Sequence, residues 1–201
     1  MKERSAQHSR SLANLLAETV LIGVGVFLAL LANNWHEQRE HRALADSTLR
    51  NFAREMKVNQ RNMGFHRQYH ITLAGNLDKF LKSKEPQTRD QFEKSVDFKG
   101  MEPVFFEHTA WDLALATQAL SYINPELAFD ISQAYTQQSA FQTLENSFLA
   151  SAFTPATFAS EDMRGLAMAM GSYLADVNIQ EPFILQLYDK VIPEIDSALS
   201  H

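Results

Sequence analysis

No cysteine occurs in the 201 residues of this chain. That absence excludes disulfides, thiol catalysis, and zinc or iron–sulfur sites built on cysteine ligands. It does not select a compartment. Other signatures of chemistry are missing too. No serine stands in Gly-x-Ser-x-Gly, so the nucleophile elbow of a hydrolase is absent. No glycine-rich loop is spaced to cradle a phosphate. Alternation with period two is almost absent, which argues against strands. There is no internal repeat and no low-complexity segment. The sequence offers no recognisable catalytic set, so catalysis, a metal and any other cofactor are not expected.

The apolar fraction of 45% is ordinary for a globular protein and argues against a disordered chain. The length leaves room for a membrane anchor and one domain with an ample core. Charge is uneven. Residues 1–11 carry +2. Residues 36–201 carry 15 Lys and Arg against 22 Asp and Glu, a net −7, and Glu18 brings the total to −6. An acidic domain argues against nucleic acid as a partner.

One stretch stands out, Leu12 to Trp35, which reads LANLLAETVLIGVGVFLALLANNW. It carries no charge from Thr19 to Ala32 and reaches the length needed to cross a ~30 Å hydrocarbon core as a helix. Trp35 falls where an amphipathic ring favours the membrane–water boundary. Two other readings compete. A cleaved secretory signal needs a small residue where Leu30 stands, and the pattern runs past Ala32 into a charged helix without a break. A buried helix of a soluble protein rarely stays apolar on every face at this length. The short basic tail favours a cytoplasmic N-terminus and an exported domain, while Arg39, Arg42, Arg50 and Arg54 pull the other way. The expectation is a single-pass protein of the bacterial cytoplasmic membrane with a periplasmic domain. It divides into a polar tail (1–11), a transmembrane helix (12–35) and a helical domain (36–201).

Within the span, Glu18, Gly25, Ala29 and Ala32 follow seven-, four- and three-residue steps and share one helix face. Small residues there let a second helix approach closely. The bland reading of Glu18 places it among the headgroups; the sharper one places it on a helix–helix interface. The lipid bilayer is one expected partner, and a protein subunit or a second copy is the other.

The fold class expected is all-α: the transmembrane helix continues into a long helix, and an irregular helical bundle follows. From His36 to Met63 there is no Gly or Pro, and Ala45, Leu49, Phe52, Met56 and Met63 form a heptad-like stripe with Asn59 in the skipped place. The span and this helix would form one rod of roughly 75 Å for about 50 residues. A helical pattern returns from Phe65 to Leu81 and breaks at Lys82–Pro86. A short helix is expected over Arg89–Val96 and a loop over Lys99–Pro103. Thr109 and Asp112 resemble a capping pair for a helix that carries Trp111, Leu113, Leu115, Ala119 and Leu120 and ends near Ile123. Asn124-Pro125-Glu126 is a stronger start, for a helix to about Ala150. Further helices are expected over Ser160–Val177 and from Glu181-Pro182 onward. The last has Phe183, Ile184, Leu187, Tyr188, Val191 and Ile195 inward and a kink at Pro193.

The string from Glu18 to Glu37, with Asn34-Trp35 closing the span, resembles the start of a group of uncharacterised bacterial single-pass membrane proteins. The segments around Trp111 and Tyr135-x-x-Gln138 are also similar to that group; His36 and Gln38 depart from it, where more acid is usual. The resemblance implies an envelope protein with an anchored helical domain. It implies no activity and no functional residues.

Three further constellations bear on function. His66 and His70 share a helix face and could hold a metal, but two such histidines are more often solvated. Glu107, His108, Trp111 and Asp112 form a dense polar group that reads as a helix start rather than an acid–base pair. Phe105, Phe106, Phe148, Met163, Met168 and Met170 could line an apolar cavity, though such residues are more often core. The reading is a membrane-anchored interaction or scaffold protein, an accessory subunit of an envelope complex. The alternative is a ligand-binding or sensory domain with an apolar pocket.

Overall fold

The first proline of the chain is Pro86, and helix α1 (Glu3–Lys82) ends just before it. A computed structural model describes the backbone of residues 3–200 and the side chains of residues 17–200 apart from Phe158. Five more α-helices follow: α2 (Arg89–Val96), α3 (Thr109–Ala116), α4 (Pro125–Ala152), α5 (Pro155–Ala159) and α6 (Arg164–Ala198), with one 3-10 turn at Ala119–Tyr122. No strand occurs among the described residues, so the fold is all-α. The chain forms two compact units, Met1–Ala45 and Asp46–His201.

The first unit is the N-terminal part of α1. The helix includes part of the segment read as a polar tail; the side chains of residues 1–16, and with them Leu12 to Leu16 of the span, lie outside the described residues. From Ala17 to Glu40 every residue is exposed.

The second unit is built on α1 beyond Ala45, α4 and α6. The heptad-like stripe packs as read: Leu49, Phe52, Met56 and Met63 are buried, and Leu73, Leu77 and Phe80 continue it. Gly64 lies within α1, which continues through it. A glycine costs a helix roughly 1 kcal/mol, and the buried side chains on either side outweigh it. Lys57–Asp196, Gln60–Asp189 and His70–Glu181 link α1 to α6 with numbers that rise on one helix and fall on the other, so the two are antiparallel. Asp130–Lys190, Gln138–Tyr188 and Glu145–Tyr173 show the same for α4 and α6.

Helix starts follow local chemistry. The Asn124 side chain accepts from the N–H groups of Glu126 and Leu127, with Pro125 at the first helical position, as the sequence predicts. Thr88 caps α2 and Thr154 caps α5 in the same way. At α3 the expectation changes. His108, not Thr109, is the N-cap, and it gives no side-chain cap bond. The helix stops at Ala116, because Gln118 takes a left-handed φ of 56° before the 3-10 turn. Leu113 and Leu115 face solvent, while Ala110, Ala114 and Ala119 fill the interior.

The two helices expected over 160–177 and from 181 are one helix, α6, with Pro182 and Pro193 inside it. A proline in a helix interior removes a hydrogen bond and costs about 3 kcal/mol or more. Burial of Leu174, Val177, Ile184 and Leu187 around Pro182, and of Val191, Ile192 and Ile195 around Pro193, offsets that loss. Phe183 is turned outward, 42% exposed, rather than inward.

Candidate functional site

Between α2 and α3 the chain crosses residues 97–108 without regular structure. A buried backbone needs partners for its N–H and C=O groups, and here side chains of the bundle supply them. The Tyr69 hydroxyl donates to the Gly100 carbonyl at 2.6 Å and accepts from the Lys99 N–H at 3.0 Å. His70 Nε2 faces the carbonyls of Met101 at 3.0 Å and Glu102 at 3.2 Å. The Val104 N–H donates to Glu145 Oε1 at 3.0 Å. Asn59 takes both groups of Glu107, donating to its carbonyl and accepting from its N–H, each at 2.8 Å. The Ala110 N–H, in the first turn of α3, donates to Glu55 Oε2 at 2.8 Å. These bonds strap the segment down, with Met101 and Val104 as its buried apolar contacts.

The anchoring groups form a polar seam inside the bundle. Glu55, Asn59, His70, Gln138, Glu145 and Glu181 are all buried. His70 Nδ1 meets Glu181 Oε1 at 2.7 Å, and neither side chain has exposed surface. Because Nε2 faces two carbonyls, it carries a hydrogen, and the Glu181 carboxylate, which only accepts, takes a second hydrogen bond from Nδ1–H. Burial works to lower the pKa of His70, but the hydrogen bond and charge of Glu181 outweigh it and raise it above the ordinary value. Glu145 also accepts from the Tyr173 hydroxyl at 3.2 Å. Burial pushes its pKa up to about 7, against the opposing pull of the Val104 N–H, the Tyr173 hydroxyl and the His70 charge. Tyr135 donates to Glu55 Oε1 at 2.7 Å, and burial together with that carboxylate raises its pKa far above the ordinary value.

This seam is built for structure. Both ring nitrogens of His70 are engaged and the pair has no exposed surface, so it offers neither access nor a free lone pair to a substrate. The expectation that His66 and His70 are solvated together is corrected: His70 is buried, and His66 is half-buried against Glu102 at 3.2 Å. Their rings stack with centroids 6.3 Å apart. No group of three or more metal-ligating side chains converges among the described residues. At the start of α3, His108 Nδ1 lies 2.7 Å from Asp112 Oδ2 in an exposed pair one helical turn long.

The structure places the span residues on an open surface. Glu18, Gly25, Ala29 and Ala32 are exposed, and a Cβ built on Gly25 meets nothing within 4 Å. Trp35 is 61% exposed, with the Arg39 guanidinium 4.7 Å above its ring. By length and composition this helix is apolar enough to cross a membrane, and none of its apolar stretch is buried.

Of the six residues proposed to line a cavity, Met163 lines a partly open one, and Phe106, packed on Phe141 with centroids 5.8 Å apart, lines a shallower groove with Gln138 and Gln142. Met163 joins Phe92, Phe98, Phe153, Thr157 and Leu166 around a cavity of about 300 Å³, with Arg89 and Glu93 at its wall. Phe148 and Met170 are core, and Phe105 and Met168 are exposed. The chain matches no protein-family model, no curated protein and no solved structure.

Proposed function

We propose that the chain is a membrane-anchored helical interaction protein, an accessory subunit of a bacterial envelope complex that carries out no catalysis. The observation behind this reading is the apolar window of α1, exposed along its whole length. Exposed apolar surface of that extent in water is costly, at roughly 25 cal/mol per Å², and a bilayer removes the cost. Trp35 with Arg39 over its ring supplies the interfacial anchor. We place the span in the cytoplasmic membrane, with the N-terminus cytoplasmic and the domain periplasmic. The partner is a protein subunit or a second copy, met through the face of Glu18, Gly25, Ala29 and Ala32. On the bundle, Phe65 and Phe105 stay exposed and add apolar surface for a protein neighbour.

The test is gentle extraction of the tagged full-length chain from native membranes, followed by mass analysis of the purified assembly. A stoichiometric protein partner or a defined homo-oligomer supports the reading. Release of the chain by alkaline carbonate without detergent, or a lone monomer in the assembly, overturns it.

A further inference from the structure

The cavity of about 300 Å³ lies where α2, residue Phe98 of the strap, the residue after α4, α5 and the start of α6 come together. Its walls are aromatic. Phe98 and Phe153 are nearly parallel, at 15° with centroids 6.3 Å apart, and Phe92 presents to Phe98 at 62° and 6.1 Å. Phe80 holds Phe92 from the core side, edge to face at 5.5 Å. Phe80, Phe92 and Met163 are buried, so core packing fixes the floor.

Two polar groups of the wall, those of Thr157 and Arg89, are already engaged. The Thr157 hydroxyl bonds that of Thr154 at 3.0 Å, and the Arg89 guanidinium donates to the Ser160 carbonyl at 2.8 Å. Arg89 and Glu93 carry opposite charges one helical turn apart, so a ligand with a net charge gains from one and loses to the other. Ring edges, ring faces and a thioether favour an aromatic guest beyond what area alone supplies. At the ~30 Å³ that a small group claims in a liquid, the cavity admits about ten heavy atoms. That volume is at the lower end for ligand pockets.

We propose that this cavity binds a small uncharged aromatic molecule of about ten heavy atoms, seated against Phe98, Phe153 and Met163. The inference does not depend on the anchoring role, since every wall residue lies in the Asp46–His201 unit.

The test uses the full-length chain in detergent-free lipid nanodiscs, with its methionine methyls labelled with carbon-13, and indole as the probe. The expected result is a saturable ring-current shift of the Met163 methyl, with Met56 and Met63 in the core of α1 unmoved. Leu166→Trp fills the cavity from a half-buried wall position and weakens the response at least tenfold. A second measurement, on the unmodified chain, is a nuclear Overhauser contact between indole protons and Met163. No shift at millimolar indole, or equal binding by a folded Leu166→Trp variant, overturns the proposal. So does a Met163 shift with decanoate and none with indole, which would assign the cavity to an alkyl chain.

Discussion

His70 on α1 and Glu181 on α6 meet at 2.7 Å with no exposed surface on either side chain. Removing two ions from water costs several kcal/mol each, repaid when their attraction is backed by further hydrogen bonds. His70 has that backing from the Met101 and Glu102 carbonyls. Glu181 has half of it, because its Oε2 is buried with no hydrogen-bond partner among the described residues. Glu181→Leu leaves the histidine facing an apolar group, and we expect a loss of about 3–5 kcal/mol, the range for breaking a buried pair. Lys57→Ala removes the half-exposed Lys57–Asp196 pair and is expected to cost about 1 kcal/mol or less. Urea unfolding followed by circular dichroism compares the two; similar losses would show that burial does not set the difference.

Glu145 gives the bundle a pH dependence with a definite sign. Its folded pKa of about 7 lies above the ordinary 4.5, chiefly because of burial. Between those values the folded chain holds a proton that the unfolded chain has released. The resulting stability is complete below pH 4.5 and is lost as pH rises through 7. His70 is also raised, so its contribution is complete below 6.5 and is lost as pH rises through its folded value. Both groups therefore favour the fold on the acid side of neutrality. At ~1.4 kcal/mol per pKa unit, Glu145 accounts for up to about 3 kcal/mol. Glu145→Gln keeps an acceptor for Val104 and Tyr173 and removes the titration. We expect its unfolding free energy to change less than the parent's between pH 4.5 and 7. Identical slopes for the two chains would remove Glu145 as the source.

The helices were legible because their signals are local. Asn124-Pro125-Glu126 starts α4 by its own chemistry, and the stripe from Leu49 to Met63 is buried as its spacing predicts. The merging of two expected helices into α6 was not legible, since the pair Glu181-Pro182 does not show how much apolar surface lies on either side. The polar seam left a trace in the spacing. His70 stands midway between Met63 and Leu77 in seven-residue steps. Glu145 falls four after Phe141 and three before Phe148, and Glu181 four after Val177 and three before Ile184. A polar residue at a core position must have a partner, so these positions could have been marked as buried. Their partners could not, because the bonds to the strap join residues 30 to 55 apart in sequence. The cavity was named through Met163 alone; Phe92, Phe98 and Phe153 come to it from three separate segments.

Asn59 tests whether the seam holds the strap. It satisfies both backbone groups of Glu107 at 2.8 Å. Asn59→Leu fits the buried stripe by shape but leaves those groups without it, a loss of about 1–3 kcal/mol. Asn59→Asp retains the acceptor for the Glu107 N–H and loses the donor. We expect faster hydrogen exchange at the Glu107 amide in the leucine variant, with protection largely kept in the aspartate variant. Protection at Val104, which Glu145 holds independently, should fall less than at Glu107. Unchanged exchange at Glu107 in the leucine variant would mean that the strap is held by Met101 and Val104 packing alone.

Gly25→Ile tests the proposed association of the span apart from the stability of the bundle. A Cβ at this position meets nothing within 4 Å, so Gly25→Ile is accommodated in the single chain. The same branched side chain would keep a second helix from approaching through the Gly25–Ala29 face. We expect the variant to insert in membranes at the parent's level and to unfold in its helical domain at the parent's urea midpoint. Its dimer fraction, measured by cross-linking in native membranes, is expected to fall at least fivefold. The companion change Val24→Ile lies off that face and should leave the dimer fraction within twofold. Loss of association in Gly25→Ile with retention in Val24→Ile assigns the contact to the small-residue face. An equal dimer fraction in both moves the interaction to the bundle, where Phe65 and Phe105 become the residues to change next.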